Sequence, residues 1–87
     1  MNMQELAEKE INKIGNAVNE LRLVKEDGRE LYDLVSSYFT DAKHFLKEKK
    51  FVPAFEAAVI VWAYIDAGLH LGVFELPKEY NKLFTIE

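Results

Sequence analysis

Apolar residues recur at helical spacing in three successive segments, and no segment alternates at the period of two that a half-buried strand requires. In the first, Ala7, Ile11, Ile14, Val18 and Leu21 follow one another at steps of four and three, with Leu6, Ala17 and Val24 beside them. Asn2 and Glu5 have the spacing of a capping box, so a helix is predicted over 3–26. "KEDGRE" at 25–30 breaks it. Gly28 admits the positive φ that ends a helix, and Asp27 with Glu30 repeats the capping-box spacing for a second helix over 29–49. That helix carries Leu31, Val35, Tyr38, Ala42 and Phe45 on one stripe, widened by Leu34, Phe39 and Leu46, with Asp33, Ser36, Ser37, Thr40, His44 and Lys47 opposite. It runs out in the charged stretch "KEKKFVP". Pro53 suits the first turn of a third helix, predicted over 52–71, because no partner awaits its missing amide hydrogen.

The third helix has a different pattern. At 100° per residue, Glu56, Val59, Ala63, Asp66 and His70 fall on one narrow stripe that holds all its polar side chains, and the apolar remainder spans roughly 200°. Ile60, Tyr64 and Leu71 lie toward one edge of that arc, and Trp62 and Leu69 toward the other. Two helical neighbours do not obviously cover so wide an arc. The tail, 73–87, adds Val73, Phe74, Leu76, Tyr80, Leu83, Phe84 and Ile86, with the turn-compatible Pro77. Either this tail folds over the surplus face or a second protein chain does. The separation of the two edges favours a second chain, and hence a homodimer.

Short connections force antiparallel neighbours, so the chain is expected to be all-α: one domain, an up-and-down three-helix bundle with a short C-terminal tail or helical turn. Eighty-seven residues, 49% hydrophobic and 30% charged, suit one globular core. A net charge of −4 disfavours a nucleic-acid partner, and the absence of cysteine excludes disulfides, thiolate nucleophiles and thiolate metal sites. The start "MNMQELAEKE" is too polar and acidic for a signal peptide, and the longest apolar run, 57–65, is too short to span a membrane. The expectation is a soluble cytoplasmic protein without a membrane partner.

Residues 38–77 contain an aromatic pair followed by Asp41-Ala42 and Phe45-Leu46, a charged turn, Ala54-Phe55, Asp66-Ala67-Gly68 and Leu71-Gly72-Val73-Phe74-Glu75. This succession resembles the small archaeal domains grouped as DUF357. The resemblance implies a three-helix bundle and brings no assigned activity. The chain departs from the family pattern at the second turn, where Lys49-Lys50 replaces a Gly-Asp pair. A lysine must then adopt a conformation glycine prefers, and a capping oxygen is lost.

Candidate chemistry is sparse. Asp41 with His44, and Asp66 with His70, each place a carboxylate and an imidazole on adjacent turns of a helix. Within one chain a dinuclear centre built from both pairs fails on geometry, because antiparallel pairing separates His44 from Asp66 by roughly 13 Å along the axis, so a shared metal survives only at an oligomer interface. Read as exposed pairs, Asp66 and His70 contribute a few tenths of a kcal/mol. Ser36 and Ser37 lie too far from His44 for a nucleophile and base, and no Gly-rich phosphate loop or ribonuclease-type Arg–His spacing occurs. Lys43, Lys47 and Lys50 form a basic set that complements the C-terminal dipole of the second helix more simply than it binds a phosphate. Trp62 and Tyr64 read as core before they read as a ligand cleft.

The expected function is a non-catalytic interaction or assembly module without cofactor or metal, binding itself or a protein partner through the third helix and tail. Its candidate surface is Ile60, Trp62, Tyr64, Leu69, Leu71 and Phe74. The alternative is a small-ligand or metal-binding protein, enzymatic or not, using Glu56, Asp66 and His70.

Overall fold

The computed structural model describes residues 1–86, so Glu87, the last residue of the predicted tail, lies outside the described residues. Three helices, α1 (Met3–Glu20), α2 (Arg29–Lys47) and α3 (Phe51–His70), make up most of the chain. Both α1 and α2 pack chiefly on α3 and touch each other less. Ile14, Val35, Val61 and Ile65 are the large, fully buried residues, and Ala7, Ala17, Ala42, Ala54 and Ala58 let the helices approach closely between them. No polar or charged residue is buried among the described residues. α3 is long and apolar enough to cross a membrane by length and composition alone, and here it is the helix on which the other two are assembled.

The helix ends follow local chemistry. Asn2 caps α1, its side-chain oxygen accepting from the Glu5 amide at 2.9 Å, as the capping box predicts. At the end of α2, Lys49 has φ of 61°, its amide donates to the Leu46 carbonyl at 3.0 Å, and Lys50 donates to Phe45 at 2.9 Å. These are the two bonds of a Schellman turn, with a lysine in the left-handed position. Lys50 caps α3 without any side-chain bond, as its departure from the family pattern implied. The same pair of bonds closes α3, from Gly72 to Leu69 and from Val73 to Gly68.

Three expectations need correction. First, α1 ends at Glu20 instead of 26, and α2 at Lys47 instead of 49. After Leu21 the backbone extends, and β1 (Arg22–Leu23) pairs antiparallel with β2 (Phe74–Glu75). Val24 continues the ladder by donating to the Val73 carbonyl at 2.8 Å. Leu21 and Val24 fit the helical spacing, but pairing with the segment after α3 overrides it, and a two-residue strand is too short to show alternation. Second, Gly28 has φ of −89°, so its role is not a positive φ. A Cβ there would lie 2.6 Å from Val73, so glycine is needed for the close approach of the two connections. Third, Asp27 does not cap α2, which starts without a side-chain cap. Glu26 instead pairs with Arg29 at 3.1 and 3.3 Å, which holds its carboxyl below the usual range.

Candidate interaction surface

Four things surround α3, and they account for its circumference. The buried arc, centred on Ala58, Val61 and Ile65, faces α1 and α2. On the flank toward α2, Tyr64 lies beside Tyr38 with ring centroids 5.7 Å apart. On the flank toward α1, the tail folds back along the helix. The fourth quarter faces solvent.

The tail is held at two points. Beyond β2 and Pro77 it forms a 3-10 helix, Lys78–Leu83, which returns the chain to the middle of α3. There the Trp62 Nε1–H donates to the Leu83 carbonyl at 2.6 Å, and the indole stacks on Phe84 with centroids 5.8 Å apart. One turn further, the Asp66 carboxylate accepts from the Thr85 amide at 2.9 Å and from its hydroxyl at 2.7 Å, while His70 Nε2 lies 2.6 Å from the same hydroxyl. The Asp66 side chain is only 15% exposed. The stripe reading of Asp66 as a solvated residue is therefore overturned: it anchors the tail. Nothing in the helical period of α3 announced this, because the partner is 19 residues away in sequence.

Imidazole, hydroxyl and carboxylate in series invite comparison with a nucleophile and its base. Proton counting argues against it. The hydroxyl has one hydrogen and the carboxylate only accepts, so Thr85 donates to Asp66 and His70 must donate to Thr85. An imidazole acting as donor cannot take the hydroxyl proton. The arrangement is a clasp.

The other candidate groups do not converge. Glu56 is ten residues from Asp66, roughly 15 Å along the helix, and lines a shallow groove between α2 and α3 with Tyr38, Asp41, Phe45 and Ile60. His44 reaches Glu48 at 3.1 Å and not Asp41. Among the described residues no three acidic or histidine side chains are placed to share a metal ion. Within the basic set, Lys43 sits 4.7 Å from the Phe39 ring centroid and Lys50 Nζ lies 3.7 Å from Glu48, so neither is positioned with the other to grip an anion.

The residues expected on an interaction surface divide. Phe74 is 2% exposed, packed over Gly68 and edge-on to Tyr32, and belongs to the core. Trp62 and Leu69 are partly buried against that core, and the tail closes over Trp62. Tyr64 is partly buried beside Tyr38. Ile60 and Leu71 remain accessible, at 37% and 68%. Sequence reasoning missed their neighbours Val52 and Val59, exposed at 52% and 42%, together with Ala63 and Ala67. The signal was present, since Val59 and Ala63 fall on the stripe read as polar. With Asp66 occupied by the tail, an exposed arc of roughly 120° retains only Glu56 and His70 as polar side chains.

Comparison with known proteins agrees with this architecture. No protein of curated function matches the chain. The crystal structure of a DUF357 protein from Archaeoglobus fulgidus superposes with a TM-score of 0.74, covering 86% of this chain and 93% of that one at 24% identity, so the two share a fold. The family profile described as protein of unknown function matches residues 3–74, which takes in all three helices and reaches the first residue of β2. The chain belongs to the DUF357 family.

Proposed function

We propose that the protein is a cytoplasmic, non-catalytic assembly module that docks on another protein chain through the open face of α3. The observation that carries this reading is the composition of that face: Val52, Val59, Ile60 and Leu71 are exposed along one side of a single helix, with Ala63 and Ala67 between them. Their accessible parts amount to on the order of 300 Å² of apolar surface, comparable to the largest apolar patch of a typical monomer, which is often functional. At about 25 cal/mol per Å², covering it contributes roughly 7 kcal/mol per chain before the cost of association, enough to support a reversible complex. The Asp66–Thr85 clasp supports the same reading from the other side, since it explains the residues that first suggested chemistry.

Light scattering during size-exclusion chromatography tests the proposal, with purified protein and in source lysate, on the parent and on Ala63→Glu. The parent is expected in a particle larger than its 10.1 kDa chain in at least one setting, and the variant at chain mass in both with unchanged helicity. A parent that stays at chain mass in both settings refutes it.

A further inference from the structure

On the open face of α3, the two polar side chains are placed symmetrically. Glu56 lies seven residues before Ala63 and His70 seven residues after it, each two turns or roughly 10 Å away along the axis. On the wheel the three fall within about 40° of one another, so they form one line. Both end residues are exposed, and the stretch between them exposes Val59, Ile60, Ala63 and Ala67.

This spacing restricts what can lie against the face. If α3 meets a second α3 in parallel, Glu56 stacks on Glu56 and His70 on His70, and two like pairs are buried. If the helices run antiparallel about a two-fold axis at Ala63, every residue faces the one equally far on the other side of Ala63. Glu56 of each copy then meets His70 of the other, at both ends of the contact, and Val59 meets Ala67. The small side chains of Ala63 and Ala67 stand where the helices come closest, and they permit an interaxial distance of about 9 Å, within the usual 8–10 Å. A two-fold interface needs a self-complementary patch, and this face has one acceptor and one donor at equal distances from its centre.

We infer that the occupant of the open face is a second copy of this chain, with the two α3 helices antiparallel and crossing at Ala63, and Glu56 paired with His70 of the other copy at each end. The inference rests on the assembly reading and names its partner. His70 serves both contacts: its Nε2–H donates to Thr85, and in the imidazolium form, where both ring nitrogens carry hydrogen, Nδ1–H donates to the incoming carboxylate. The clasp that closes the tail thereby also fixes the imidazole that the partner meets.

The chain has no cysteine, so single cysteine variants report proximity without background. At a two-fold crossing with an interaxial distance of about 9 Å, Cα atoms on cylinders of about 2.3 Å radius face one another at about 4.4 Å or slightly more, within the 4.4–6.8 Å that a disulfide spans. The full chain carrying Ala63→Cys, Val59→Cys or Ala67→Cys is oxidised with diamide at micromolar concentration and run without reductant, with circular dichroism confirming each fold. Ala63→Cys is expected to convert mostly to covalent dimer. Val59→Cys mixed with Ala67→Cys is expected to give the mixed dimer severalfold over either like dimer, and urea during oxidation should abolish the preference. Sedimentation of the untreated parent separates the failures. A dimeric parent whose Ala63→Cys variant does not cross-link overturns the antiparallel register and leaves the assembly reading standing. A parent monomeric at all concentrations, with no selective cross-link, overturns the second copy as occupant. If it also enters no larger particle in lysate, the assembly reading falls with it.

Discussion

Replacing Asp66 by alanine distinguishes a tail anchor from a decorative surface charge. An exposed pair four residues apart on a helix contributes a few tenths of a kcal/mol, which was the value expected for Asp66 with His70. The structure gives Asp66 two charge-assisted bonds to Thr85, at 2.9 and 2.7 Å, on a carboxylate 15% exposed. Each such bond contributes about 1.5–3 kcal/mol when shielded, and the exposure of Thr85 lowers the pair to about 2 kcal/mol in total. Asp66→Ala should therefore lower the melting temperature by roughly 10 °C in a domain of this size. The loss should begin at the tail. Trp62 is the only tryptophan and stacks on Phe84, so its fluorescence should change at lower urea concentration than the helical signal in Asp66→Ala, and together with it in the parent. Combining Asp66→Ala with Thr85→Val isolates the hydroxyl bond, for which a coupling of about 1 kcal/mol is expected. A melting temperature within a degree of the parent, with additive single variants, would refute the anchor.

Three further substitutions test the packing. Gly68→Ala in an ordinary helix interior would stabilise by about 0.5–1 kcal/mol, but here the added Cβ meets the Phe74 ring, so thermal melting should show a net loss of about 1–3 kcal/mol. Lys49→Gly removes a side chain from a left-handed position and should stabilise by about 1 kcal/mol in urea unfolding; a loss of stability would contradict the Schellman turn. Trp62→Phe keeps the stacking but deletes the bond to the Leu83 carbonyl, and should cost about 1 kcal/mol by thermal melting, with faster hydrogen exchange in residues 83–85.

What could be read from the sequence and what could not divide along the range of the interactions. The stripes of α1 and α2 and the Asn2 cap depend on residues within one or two turns of each other, and local spacing revealed them. The left-handed Lys49, by contrast, was legible only from the resemblance to a family that has Gly-Asp at that turn. The end of α1 at Glu20, the glycine at 28 and the clasp at Asp66 depend on Val73, Phe74 and Thr85, all far along the chain. Helical periodicity has no knowledge of them. The width of the apolar arc on α3 was legible, as was the need for more than two neighbours. The assignment of its edges was only half right: the tail takes Trp62, and Phe74 goes to the core. The polar stripe hid part of the exposed apolar face, because Val59 and Ala63 were grouped with the charges beside them.

Whether a second copy of this chain covers the face of α3 that α1, α2 and the tail leave open is measured directly by methyl accessibility. A soluble paramagnetic agent relaxes exposed methyl groups in solution NMR, so Val52, Val59, Ile60 and Leu71 can be compared with Met1 in the parent and in Ala63→Glu. If a second copy lies on the face, these four are shielded in the parent at high concentration, recover their accessibility on dilution and in the variant, and Met1 is unaffected throughout. If the four relax as strongly in the concentrated parent as in the variant, no copy of this chain covers the face, and the account of α3 as a self-assembling helix is contradicted.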